Sequence, residues 1–189
     1  MNNQKNIKIN NHHQLTSNNK KTEYNTPLKF CTHNVRGLST QSKQFQLMQY
    51  IELNNIHIMG LSETKLKNST AKYCFKKLNN YISYFENNSS SPQGAGVGFL
   101  IHKNVAKFIH KVGKFNGRII YVDLFFKEHN RLRIIQIYLH ANIQNRKEID
   151  QTYNMLSNIV KEAHNNNTKI ILMGDFNISP EKRHIDPRK

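Results

Sequence analysis

The sequence predicts an α/β fold, close to α+β because much of its sheet is antiparallel, and three features predict it. Leu28 to Leu61 reads as strand, helix, strand. Five short apolar runs follow between Tyr81 and Leu139, spaced as a meander of antiparallel strands would be. An amphipathic segment after Asn142 then leads into the apolar run Lys169 to Met173.

Each element has its own signal. Up to about Pro27 the chain is rich in Asn, Lys and His and poor in large apolar side chains, so residues 1–27 are expected to be a disordered tail and 28–189 the folded part. His12 and His13 lie in that tail and read as incidental. Leu28, Phe30 and Thr32 alternate on one face of a strand ending at Val35, before the turn signal at Arg36 to Thr40. Leu47, Met48 and Ile51 share a helical face, which predicts a helix over 42–54. Ile56 to Leu61 is a buried strand. Residues 87–96 form a loop of turn residues after the strand Tyr81 to Glu86. The runs 97–102, 106–112, 118–126 and 132–139 complete the meander. In the second helix Asn145 and Glu148 match an N-cap and its box partner, and Ile149, Tyr153, Leu156, Val160 and Ala163 line one face. His164 to Thr168 stops it, and Lys169 to Met173 delivers Gly-Asp-Phe-Asn.

Composition narrows the function. The chain has 189 residues, 28 Lys and Arg against 12 Asp and Glu, and a formal charge of +16. Such an excess points to a polyanion, with nucleic acid first and an anionic membrane surface second; a solvated Lys-rich surface without a partner is the plain alternative. Cys31 and Cys74 have no metal-motif spacing and read as free thiols of a reducing compartment. The N-terminus lacks the apolar core of a secretory signal and no run is long enough for a membrane helix. An intracellular protein, nuclear or cytoplasmic, is expected.

The chemistry lies where apolar runs end in polar residues. Asn34, Glu63, Tyr138, Asn142, Asp175 and Asn177 all follow predicted strands, and strands of one sense bring such ends together. Singly, each has an ordinary reading as a cap, a turn residue or, for Tyr138, core. Jointly, few carboxylates with amides and a phenol suit a hard divalent cation and a phosphate, because Mg²⁺ takes one or two carboxylates and keeps places for water and substrate oxygens. Phosphodiester hydrolysis is the matching reaction class.

Five stretches carry a resemblance: "THNVRGL", "GLSETKL", "GAGVGFLIHK", "IQIYLHAN" and "ILMGDFNISP". In order and rough spacing they resemble the endonuclease/exonuclease/phosphatase superfamily, the fold of deoxyribonuclease and of apurinic-site endonucleases, and the first resembles most the endonuclease domain of LINE-type retrotransposons. The resemblance covers about Leu28 to Pro180. It implies a four-layer α/β sandwich and a metal-dependent DNA endonuclease using Mg²⁺, with Mn²⁺ as the other option. It also implies that Glu63 ligates the metal with Asn34 beside it, that Tyr138 contacts the scissile phosphate, that Asp175 positions or activates the attacking water and that Asn177 binds phosphate or holds Asp175. Asn142 matches the Asn closing a Tyr-x-Pro-Asn motif, though Ala141 precedes it here.

The resemblance further implies a late Ser-Asp-His motif, which this sequence lacks; His184 and Asp186 occur early and in reversed order. A C-terminally truncated domain is therefore expected, its sheet edges covered by a downstream segment or a second chain. Extension through Ser-Asp-His is expected to speed plasmid nicking at least about a thousandfold. The competing reading is an inactive remnant that binds nucleic acid through its basic surface; a lipid or inositol phosphatase is a third.

Overall fold

A computed structural model describes residues 27–76, 78–88, 95–140 and 146–177. The expected disorder before Pro27, the middle of the 87–96 loop, Asn142, the Asn145 cap and the pair His184 and Asp186 lie outside the described residues.

The chain runs β1 (Phe30–Asn34), α1 (Gln41–Leu53), β2 (Ile58–Ser62), the single turn α2 (Asn68–Ala71), β3 (Tyr81–Glu86), β4 (Val97–His102), the single turn α3 (Lys103–Ala106), β5 (Ile109–Phe115), β6 (Ile119–Phe125), β7 (Arg131–Tyr138), α4 (Arg146–Asn165) and β8 (Lys169–Asp175). The first sheet has the order β1-β2-β4-β3 and the second β5-β6-β7-β8. Within each, one pair is parallel, β1 with β2 and β7 with β8. The crossovers of those pairs contain α1 and α4, as parallel neighbours require.

Alternation along the strands builds the layers. Leu28 and Phe30 point into the core between the sheets, with Ile58, Phe99, Ile101, Ile120, Val122 and Ile134. Cys31, Met59, Leu61 and Leu100 point the other way and pack with Leu47 and Ile51 of α1. On the far side Ile119, Ile135 and Ile137 meet Ile159 and Leu156 of α4. The result is helix, sheet, sheet, helix, the expected four-layer sandwich. Both cysteines are free, Cys74 being buried.

Asparagine ends both long helices. Asn55 (φ 50°) and Asn167 (φ 50°) take left-handed backbone. Beyond them, the amide of Ile56 donates to the Ile51 carbonyl and that of Thr168 to the Ala163 carbonyl. This is the Schellman closure, which wants Gly or Asn at that position because other side chains crowd the carbonyl there.

Three expectations are corrected. The five apolar runs are not one meander: β3 and β4 pair in the first sheet, with β4 also against β2, and only β5, β6 and β7 run consecutively in the second. The run 106–112 is not one strand, because α3 carries the chain from one sheet to the other and β5 starts at Ile109. Tyr153 is 46% exposed, and Thr152 lies buried in its place, its hydroxyl donating to the Glu148 carbonyl. Arg133 on β7 sets that rotation, donating to the Ile159 carbonyl and to Glu162.

Arg133 also forms a two-pronged ion pair with Asp123 on β6, at 2.6 and 2.8 Å, with both side chains buried. Its guanidinium lies 4.4 Å from the centre of the Tyr121 ring. A charge so placed is tolerated only because every partner is present. The network locks β6, β7 and α4 together.

Candidate active site

The parallel pairs bring four strand ends to one level. Asn34 ends β1 beside Ser62, the residue before Glu63, and Tyr138 ends β7 beside Asp175 at the end of β8. β1 and β8 face each other across the sandwich. The amide Nδ2 of Asn34 on the first sheet therefore donates to Asp175 Oδ2 on the second, at 2.7 Å.

Both oxygens of Asp175 are engaged. Oδ1 accepts from the backbone N–H of Asn177 at 3.1 Å, and Asn177 Nδ2 donates to the Leu139 carbonyl at 2.7 Å. Leu139 N–H returns a bond to the Asp175 carbonyl. Asn177 (φ 47°) and Gly174 (φ 138°) both have left-handed backbone. A side chain at Gly174 would run into the Ile137 carbonyl, so only glycine lets β8 approach β7 there. Gly-Asp-Phe-Asn is thus a tight turn that aims one carboxylate.

Glu63 is fixed as firmly. It sits at φ 56° with Lys65 at φ 51°, conformations that persist only where surroundings impose them. Here Gly37 N–H donates to the Glu63 carbonyl, and the amides of Thr64 and Lys65 donate to Gly96 and Ala95. Lys65 Nζ lies 2.7 Å from Glu63 Oε1. Lys65, with the Asn34 amide and Arg36 adding to it, holds the Glu63 carboxyl below the usual carboxylate range, so it is ionised at neutral pH. Burial pushes the Tyr138 phenol up, with Glu63 and Asp175 acting in the same direction, so it stays a neutral donor. The structure thus brings together Asn34, Glu63, Tyr138, Asp175 and Asn177; Asn142 lies outside the described residues. Asn34, Asp175 and Asn177 line an open cleft of about 660 Å³ with Thr32, His33 and Phe176.

Several residues escaped the sequence reading. A relay, buried at Gln136 and Ser62, runs down from the cleft: Thr32 Oγ1 donates to Gln136 Oε1 at 3.1 Å, Gln136 Nε2 to Ser62 Oγ at 2.7 Å, and Ser62 Oγ to the Ile137 carbonyl at 3.3 Å. It ties the two sheets together, and Gly60 leaves the space Gln136 fills. Arg118 lies 5.0 Å from the centre of the Tyr138 ring, adding a cation beside the phenol.

The donor set decides which cation fits. Glu63, Asp175 and the Asn34 carbonyl oxygen are hard oxygen donors, and among the described residues no three His, Cys, Asp or Glu side chains converge as a full protein cage would need. Such a partial oxygen set fits a cation of the Mg²⁺ kind, which retains several waters, and does not fit the nitrogen and sulfur preference of Zn²⁺. No helix among the described residues is long and apolar enough to cross a membrane.

Known structures share this architecture. An AP endonuclease from Archaeoglobus fulgidus superposes with a TM-score of 0.61 at 18% identity, over 82% of this chain and 60% of its own. The catalytic domain of Xenopus laevis APE2 gives 0.61 at 18%, over 80% and 59%. A humanized D. rerio TDP2 gives 0.60 at 18%, over 82% and 68%. The chain spans 47% of TDP2 from Caenorhabditis elegans, so it covers from 47% to 68% of the length of these structures. At these identities the likeness speaks to the fold alone. No curated protein matches the chain. Residues 31–188 match a family profile that takes in both sheets and each polar residue gathered at these strand ends, and by that match the chain belongs to the Endonuclease/Exonuclease/phosphatase family.

Proposed function

We propose that the chain carries the metal-binding and water-activating part of a DNA endonuclease of the LINE-type retrotransposon kind. The observation that supports this most is the bond from Asn34 to Asp175, which joins two sheets at the level where Glu63 and Tyr138 also end their strands. The charge of +16 supports a polyanionic substrate.

Mg²⁺ or Mn²⁺ held by Glu63 with Asn34 beside it would supply neutralising charge to a phosphate oxygen and the leaving alkoxide. The chain's own residues do the rest. Asp175 orients a water by a free lone pair of its clamped carboxylate and takes that water's proton as its oxygen bonds to phosphorus. Tyr138, as a neutral phenol, donates to a phosphate oxygen, and Arg118 beside it adds positive charge. Asn177 keeps Asp175 in place. Nicking is read with enzyme in excess of substrate, so that a single turnover reports the chemical step.

A second reading, a DNA-binding domain without turnover, is favoured by Lys65, whose amine already neutralises Glu63. Supercoiled plasmid separates the two. The proposal expects conversion to open circles in Mg²⁺ and none in EDTA; plasmid that stays supercoiled under prolonged enzyme excess in Mg²⁺ favours the second reading.

A further inference from the structure

We infer that the turn after α2, with Tyr73 at its crest, is a stacking platform for an unpaired base of single-stranded DNA flanking the cleavage site. The inference rests on the DNA-endonuclease reading and names the form of DNA the chain grips.

Tyr73 is 58% exposed, and its ring is bracketed by the amines of Lys72 and Lys76, at 5.0 and 4.4 Å from the ring centre. It lines one pocket with Phe45, itself 57% exposed, and with Met48, Phe75 and Lys76. One exposed ring needs no explanation, but two in one pocket with amines around them form an apolar surface with a positive rim. Between Glu63 and Glu86 the sequence has five lysines and no acidic residue. That charge is complementary to a polyanion rather than to an ordinary protein surface. Aromatic faces with amines beside them are what single strands require, since each base offers a π-face and each nucleotide a phosphate. Bases inside a duplex have their faces covered, so the platform selects unpaired ones.

The turn is rigid and tied to the active site. Phe75 is buried at φ 60° and stacks on Phe85, 6.2 Å between ring centres, a strained backbone that the packing imposes. Gln44 Nε2 on α1 donates to Cys74 Sγ and to the Leu38 carbonyl. Lys43 donates to the carbonyls of Val35, Arg36 and Gly37 in the loop that follows Asn34. The platform and the loops holding Asn34 and Glu63 therefore share one support.

The test is fluorescence anisotropy of the whole chain in EDTA, with a short DNA duplex that is either blunt or extended by an oligothymidine overhang. The overhang should tighten binding about tenfold, the order expected for one or two stacked bases. Tyr73→Ala should erase that gain and leave blunt-duplex affinity unchanged; Tyr73→Phe, which keeps the ring, should retain it. An overhang that adds nothing, or a gain that survives Tyr73→Ala, overturns the platform, and a larger gain from an oligouridine overhang overturns its assignment to DNA. Because binding is read without metal, failure of plasmid nicking with the overhang gain intact counts against the catalytic reading alone.

Discussion

Asp175→Asn is expected to lower Mg²⁺-dependent plasmid nicking about a thousandfold while leaving DNA affinity nearly unchanged. A positioned general base contributes roughly two to four powers of ten in rate, and the substitution removes it with almost no change in volume. It has a second effect. Asp175 accepts from Asn34 Nδ2 at one oxygen and from Asn177 N–H at the other, and an amide offers only one acceptor. Its NH₂ would face one of those donors, so either the bond between the sheets or the turn to Asn177 opens. Single-turnover nicking checks this, and a rate within about threefold of the parent chain would remove Asp175 from the mechanism.

The largest expected change in stability comes from Asp123→Ala, which bears on no catalytic group. Arg133 is buried with 3% of its side chain exposed, and Asp123 supplies two of its bonds. Asp123 and Glu162 hold the guanidinium pKa well above its ordinary value, and a guanidinium stays protonated in a protein even without such partners, so Arg133 keeps its charge when Asp123 is lost. Breaking a buried pair from one side costs about 3–5 kcal/mol, a large part of the roughly 5–15 kcal/mol that holds a domain together. Urea unfolding reads it directly. Replacing both partners, with Asp123→Leu and Arg133→Met, should recover most of the loss; a single-variant loss under about 1 kcal/mol would show that the pair is not the lock between β6, β7 and α4.

What could be read from the sequence follows from where each interaction lies. The end residues of β1, β2, β7 and β8 were legible because an apolar run stopping at Asn34, Glu63, Tyr138 or Asp175 is a local signal. The stop of the second helix was legible for the same reason, His164 to Thr168 including Asn167, a local provider of left-handed backbone. The relay was not. Gln136 looks like a lapse in an apolar strand, and its partners Thr32 and Ser62 are 104 and 74 residues away. Arg118 likewise acquires its role only when Tyr138 packs under it. The exchange of Tyr153 for Thr152 shows the limit of periodicity, which tolerates rotation by one position until Arg133 fixes the helix. Strand order escaped because alternation says which face is buried and not which neighbour pairs, so nothing local places β4 between β2 and β3.

Calorimetric titration of Mg²⁺ into the whole chain, beside Glu63→Gln, tests the central claim that these strand ends form a cation site. Glu63 is ionised, locked at φ 56° and joined through Asn34 to Asp175. Removing its charge should remove binding, while Gln keeps the shape and Asp123, distant in the fold, keeps its ion pair. Binding to the parent chain that Glu63→Gln abolishes, with unfolding by urea unchanged, is the predicted result. Equal binding by both chains, or none by the parent, would contradict it.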